Sequence, residues 1–134
     1  MAVTPDNQTL IVAESWAEQL TAYDIADDGM LSDRRVWAAT PGDHPDGICL
    51  DAGAVWYADV GNGHCIRVRE GGDVLATVPL DRGAFACMLG DSDGRTLFIL
   101  AAEWRGFEQA EQAIADRTGQ VVAADAPAPH AGWP

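Results

Sequence analysis

The residue most directly suited to chemistry in this sequence is Asp46, which stands between Pro45 and Gly47 at the head of an apolar stretch. A carboxylate at such a place can give an oxygen ligand to a hard divalent cation, or accept a proton from an attacking water. The same residue types also build ordinary turns, because aspartate can hydrogen-bond its own backbone beside proline and glycine. The residues alone leave both interpretations open.

Five further side chains are candidates for lining a substrate site. Glu14 and Asp59 each follow the second strand of a repeating unit described below, where they could line a substrate loop or be exposed turn acids. Trp16 and Trp104 stand in loops and could stack on a sugar or pack between sheets. Phe85 occupies the position in the third repeating unit that Asp46 occupies in the second. A phenylalanine at that position suits either the apolar wall of a channel or the hydrophobic core.

The remaining nucleophiles and bases form no recognisable constellation. His44, His64 and His130 lie far apart, and none has a metal-type partner at helix or hairpin spacing. We therefore expect surface histidines. Ser15 is not part of a Gly-x-Ser-x-Gly nucleophile elbow.

Three cysteines lie in apolar, strand-like stretches: Cys49, Cys65 and Cys87. Their number is odd, their spacing is wide and no Cys-x-x-Cys occurs, which argues against a disulfide scaffold or a structural zinc site. We expect buried, reduced thiols and hence a reducing compartment, the cytoplasm. The first residues resemble no secretory signal, which agrees with this expectation.

The charge balance favours cations as small partners. Among 134 residues, eight basic residues (all arginine) and 21 acidic ones give a formal charge of −13. Nucleic acids and anionic membrane surfaces require a basic footprint, so neither is expected as a partner. No apolar run approaches the roughly 20 residues that span a bilayer. Solubility alone is the alternative explanation of the acidic excess.

Short β-runs separated by Gly, Asp and Pro turns fill most of the chain and repeat. Met1 aligns with Ile48, and Ile48 with Cys87, at offsets of 47 and 39 residues. A period of about 40–50 residues with four short strands is typical of propeller blades. We predict an all-β fold of antiparallel four-stranded blades over residues 1–40, 41–81 and 82–134, the last incomplete. The predicted exceptions are a helix at 107–116 and a Pro-rich tail.

Fewer than three blades do not close a ring, since propellers use about four to eight. The predicted blades, about two and three-quarters in number, therefore belong to a longer protein or assemble with further copies. An open arc would leave the faces of its first and last blades in water.

Several stretches together resemble the senescence marker protein, gluconolactonase and luciferin-regenerating-enzyme family. They are 2–6 (AVTPD), 32–36 (SDRRV), 45–59 (PDGICLDAGAVWYAD) and 93–98 (DGRTLF). The resemblance covers essentially the whole chain, but only the C-terminal half of the family's six-bladed propeller. It implies a hydrolase, a carboxylic-ester hydrolase acting on sugar lactones with one divalent cation in the central channel.

The resemblance also implies a role for Asp46, as a ligand of that cation (calcium, zinc, manganese or magnesium) and as the group that activates water. The family's Asn-Gly ligand would fall just before Met1, and its early-blade Glu has no counterpart here. With one of three ligands present, we expect weak or absent activity in the isolated chain. The alternative is a non-catalytic half-propeller that binds or scaffolds. The expected partners are the missing N-terminal half or a second copy in a homodimer.

Overall fold

A computed structural model describes residues 1–133 and folds them into three antiparallel β-sheets that follow one another along the chain. The first sheet contains β1 (Ala2–Val3), β2 (Thr9–Glu14), β3 (Gln19–Ile25) and β4 (Leu31–Ala39). The second contains β5 (Pro45–Asp51), β6 (Ala54–Asp59), β7 (His64–Val68) and β8 (Val74–Pro79). The third contains β9 (Gly83–Gly90), β10 (Thr96–Ala102) and β11 (Gln120–Asp125). Each sheet is a meander, and the predicted all-β class is confirmed.

The second sheet is covered on both faces, and its sequence shows why. Every residue of β6 is buried, and its side chains alternate between two cores. Val55 and Tyr57 join the core shared with the first sheet, whereas Trp56 joins the core shared with the third. A strand buried on both faces reads as a continuous apolar run. The sheets therefore stack in chain order, with the second in the middle.

A buried ion pair crosses the second sheet. The Arg67 guanidinium on β7 donates to both carboxylate oxygens of Asp51 at 2.6 and 2.9 Å, and the Trp56 indole donates at 3.1 Å. The Asp51 side chain is fully buried and that of Arg67 is 14% exposed. Three charge-assisted donors thus compensate the buried carboxylate.

The three cysteines are free and buried, as predicted. Cys49 on β5 and Cys87 on β9 bring their sulfur atoms to 3.9 Å across the core between the second and third sheets. The hydrogen bond with Cys87, together with burial, raises the pKa of Cys49 well above the ordinary thiol value. Thiols that stay protonated react slowly.

The predicted helix lies between β10 and β11 as a 3₁₀ turn, Phe107–Gln109, followed by α1, Ala110–Ala115. Its apolar side chains do not enter the core, since Phe107 and Ile114 are both largely exposed. Among the described residues, no helix has the length and apolar character needed to cross a membrane.

The Pro-rich segment 126–133 runs along one end of all three sheets. His130 N–H donates to Gly94 O in the turn between β9 and β10 at 2.9 Å, and Ala131 N–H to Leu50 O in the second sheet at 3.0 Å. Trp133 exchanges two backbone hydrogen bonds with Val3 in the first. We call this segment the strap.

The face of the third sheet that points away from the second is apolar and uncovered. Cross-strand registry sets Phe98 beside Met88, and Leu100 beside Val121. These four side chains are between 37% and 66% exposed. We refer to them as the outer face of the third sheet.

Candidate functional site

A cavity of about 410 Å³ opens at the end of the molecule opposite the strap, where β2, β6 and β10 finish and β5 and β9 begin. In an antiparallel meander, the end of the second strand lies beside the start of the first strand. In all three sheets these strand ends lie at the same end of the molecule, so residues from each sheet line the cavity. Its walls are formed by Ser15, Trp16, His44, Asp46, Val60, Gly61, Phe85, Trp104 and Phe107.

Asp46 is the carboxylate of this cavity. It lies at the start of β5 and is an exposed residue, and the partial desolvation of its carboxyl raises the pKa above the ordinary value, against a smaller opposing effect of the Met1 amino group. Ser15 Oγ donates to Pro45 O at 2.7 Å and so ties the first sheet to this strand end. A carboxyl with a raised pKa is a stronger base than an ordinary one.

Gly47 is required by the close approach of β5 and β9. A Cβ atom at this position would lie 2.6 Å from Ala86 Cα and 2.9 Å from Phe85 O. The glycine therefore lets the two inner strands meet beside the cavity, with Asp46 and Phe85 on adjacent strands.

Five rings form a continuous arc along the cavity wall, in the order His44, Trp16, Phe107, Trp104, Phe85. Successive ring centroids are 5.5, 6.3, 5.0 and 6.0 Å apart. Three of the four contacts are edge-to-face, the favoured geometry for aromatic pairs. We call this set the aromatic arc. It forms one wall of the cavity. Two of its inner members, Trp16 and Phe107, are largely exposed to solvent, at 79% and 74%.

Four of the six residues selected from the sequence meet at this cavity: Trp16, Asp46, Phe85 and Trp104. Glu14 lies elsewhere, in a network on the first sheet. It accepts hydrogen bonds from Thr21, Gln19 and Arg34, and these donors hold the pKa of Glu14 below its ordinary value.

Asp59, for which the sequence left a substrate-loop residue and an exposed turn acid as alternatives, is not exposed, because its side chain is fully buried at the end of β6. Its carboxylate accepts from the backbone N–H groups of His44 at 2.6 Å and Asn62 at 2.8 Å. These donors lie in the connections before β5 and after β6. Asp59 thus holds in place the loop that carries His44, and is not itself among the lining residues.

One group in the described residues could hold a divalent cation: Asp43, Asp59 and His64, whose ligand atoms lie within 4.8 Å of one another. His64 Nε2 is buried, makes no hydrogen bond within the described chain, and lies 3.1 Å from Asp43 Oδ1. The expectation of a surface His64 without a metal-type partner is therefore wrong. Two carboxylates and an imidazole suit several divalent metals.

Existing hydrogen bonds already engage the same carboxylates. Asn62 Nδ2 donates to Asp43 at 2.7 Å, and the Tyr57 hydroxyl donates to it at 2.6 Å. Burial, with this hydrogen bond, raises the pKa of Tyr57, which keeps the phenol protonated as a donor. A cation at this group would have to share or displace these donors. Asp46 does not belong to this group of Asp43, Asp59 and His64. Within residues 1–133 it would therefore give a cation one carboxylate ligand, without a further ligand from this group.

His44 and Phe107 were not among the site residues predicted from the sequence. His44 was assigned to the surface and Phe107 to a helix face, yet both line the cavity. The sequence repeat contains a signal that identifies this end of the molecule. The connections that follow the second strand of each sheet, near Trp16, Val60 and Trp104, all lie at one end of the sheets.

A second cavity, of about 350 Å³, shares the Val60 and Trp104 wall. Its charged side chains are already paired: Arg82 with Asp81, and Arg105 with Glu103. Its charged groups are therefore less available to bind a ligand than the Asp46 carboxylate of the first cavity.

Comparison with known proteins places these observations in a family. A profile of the SMP-30/Gluconolactonase/LRE-like region matches residues 1–103. The fold is similar to that of a luciferin-regenerating enzyme, with a TM-score of 0.81 and 18% identity. It is also similar to a calcium-binding protein, regucalcin, from Agrobacterium tumefaciens, with a TM-score of 0.77 and 17% identity. A gluconolactonase from Xanthomonas campestris is 32% identical over 75% of this chain, with a TM-score of 0.64.

The chain spans about half the length of the first two of these proteins. Each alignment covers 98% of this chain and 46% of the other. For the gluconolactonase the share of its chain is 33%. These likenesses confirm the predicted partial propeller of antiparallel blades.

Proposed function

Because this chain belongs to the SMP-30/gluconolactonase/LRE-like family, we propose that it forms the C-terminal half of a metal-dependent lactone hydrolase, with Asp46 at its reaction centre. The observation that carries the proposal is the position of the exposed Asp46 carboxyl, whose pKa is raised, on the wall of the cavity that all three sheets build. The similarity to a gluconolactonase makes a sugar lactone the reference substrate.

In the proposed reaction Asp46 acts on water. Its carboxylate accepts a proton as the water oxygen bonds to the lactone carbonyl carbon. The ring C–O bond then breaks, and the leaving alkoxide takes up the proton to give a hydroxy acid. The partial desolvation that raises the pKa of the carboxyl also makes it a stronger base for this transfer.

A divalent cation would supply polarisation of the lactone carbonyl and of the attacking water. Asp46 fits as one oxygen ligand, and the remaining ligands would come from outside the described chain. The regucalcin neighbour, described as calcium-binding, makes calcium the first cation to test, followed by zinc, manganese and magnesium.

The test is hydrolysis of δ-gluconolactone by the 134-residue chain, measured as acid release against the buffer rate with each cation. We expect slow, cation-dependent hydrolysis that Asp46→Asn abolishes. Asp27→Asn, which changes an exposed aspartate in the turn after β3, is the matched control and should leave the rate unchanged. Hydrolysis that survives Asp46→Asn would contradict the proposal.

A second candidate function, self-assembly as a binding or scaffold module, is favoured by the outer face of the third sheet. A two-fold axis through the channel would set this face against the first sheet of another copy, twice, and would give six sheets. Such an interface should bury more than about 1,000 Å² in total.

The self-assembly test is the sedimentation mass of the chain at micromolar concentration. We expect a dimer that Leu100→Glu, on the outer face, dissociates. Val74→Glu, at an exposed position on β8, is the control and should leave the dimer intact. A monomeric wild-type chain would contradict self-assembly.

We also propose a reducing compartment, the cytoplasm, as the location. Three free thiols, two of them with sulfur atoms 3.9 Å apart, support this proposal. Extraction under alkylating conditions should recover all three as thiols, whereas an oxidised pair would contradict it.

A further inference from the structure

We infer that the aromatic arc selects, among lactones, those that carry an alkyl or aryl substituent over polyhydroxylated ones. This inference rests on the proposed function and names the substrate class of the same site. It follows from three properties of the cavity: its few polar groups, its fixed rings and its charge.

The cavity offers few hydrogen-bonding partners. The Ser15 hydroxyl already donates to Pro45 O, which leaves Asp46 and His44 as the main polar side chains apart from the two indole N–H groups. A sugar lactone carries several hydroxyls, and each one that leaves water without a partner weakens binding. The lining residues cannot satisfy a full set of sugar hydroxyls at once.

The rings offer an apolar surface held in position. Contacts between neighbouring rings fix Trp104 between Phe85 and Phe107 at centroid distances of 6.0 and 5.0 Å. Trp16 and Phe107 leave most of their surface in water. A substituent laid along them removes apolar area from water without a large cost of ordering side chains.

Charge defines which substituents are accepted. The lining residues include one carboxylate and no Arg or Lys, and the chain carries a formal charge of −13. Neutral lactones can enter such a site, whereas anionic substituents are repelled.

The first experiment compares δ-lactones that share the reacting ring. With a divalent cation present, we expect kcat/KM for δ-decalactone to exceed that for δ-gluconolactone about tenfold or more. Phe107→Ala should remove most of this preference. Ile114→Ala, an exposed position on the same helical insertion outside the cavity lining, is the matched control and should retain it.

The second experiment separates this inference from the proposed function. Quenching of tryptophan fluorescence measures binding of two lactams that resist hydrolysis, those of δ-decalactone and δ-gluconolactone. Tighter binding of the decalactone lactam, weakened in Phe107→Ala, supports the inference even if no lactone is hydrolysed. Equal or tighter binding of the gluconolactone lactam, or no binding of either, overturns it even if the chain proves to be a lactonase.

Discussion

Replacing Asp51 by asparagine removes the negative charge of the buried ion pair with almost no change in side-chain volume. The Arg67 guanidinium, 14% exposed, would then face a neutral amide at the positions where two short charge-assisted hydrogen bonds now form. Breaking a buried ion pair from one side typically costs about 3–5 kcal/mol. Because Arg67 keeps some contact with water and the amide oxygen still accepts, we expect about 3 kcal/mol.

A loss of that size is easily measured. For a chain of this length it corresponds to a melting temperature lower by about 10 °C, or a urea midpoint lower by about 1–2 M. Asp73→Asn is the control, because it removes the Arg69–Asp73 pair, whose side chains are 58% and 68% exposed. Exposed pairs contribute about 0–1 kcal/mol, so its melting temperature should hardly move.

The double variant Asp51→Asn with Arg67→Met shows whether the unpaired guanidinium charge causes the loss of stability. Removing both charges relieves the uncompensated guanidinium, so the double variant should be more stable than Asp51→Asn alone. The reasoning is refuted if Asp51→Asn costs no more than Asp73→Asn. It is refuted equally if the double variant is as unstable as the single one, since the loss would then lie in packing around Trp56 and not in the unpaired charge.

Three further outcomes are expected. Gly47→Ala should destabilise the chain by about 1–3 kcal/mol because the new methyl meets the β9 backbone, whereas Gly119→Ala, with nothing within 4 Å, should be near neutral; equal melting temperatures would contradict this. The three cysteines should label with a thiol reagent only at the rate of unfolding, and fast native labelling would show that they are accessible. Glu14 has a lowered pKa, so its stabilisation is complete above its ordinary value of 4.5 and is lost as pH falls through the lower folded value. Glu14→Gln should therefore flatten the decline of stability in acid, and an unchanged pH profile would refute this.

The sheets could be predicted from the sequence because their signals are local. The alternating run Cys65–Val68 and the offset from Ile48 to Cys87 depend only on the neighbouring residues and the repeat. The same offset, applied to Asp46, selected Phe85, and the two line one cavity.

The missed parts of the site depend on contacts between residues distant in the chain. Asp59 resembles a turn acid in isolation, and only the N–H of His44, 15 positions away, shows why it is buried. His64, at the start of β7, likewise meets Asp43 in the connection before β5, and no spacing rule for metal ligands anticipates this pair. Phe107 lies on the insertion predicted as a helix at 107–116, and its place at the cavity depends on contacts with Trp16 and Trp104, far from it or outside the helix pattern.

The strap determines when folding can finish during synthesis. Its last described residue, Trp133, pairs with Val3, so these hydrogen bonds form only after all the residues between the two positions have left the ribosome. Until then, backbone groups of Val3, Leu50 and Gly94 that the strap will engage face water. A product truncated before residue 126 would retain three sheets with an open end, a difference that proteases of the cell's quality control could detect. The strap thus makes the three sheets physically distinguishable with and without residues 126–133.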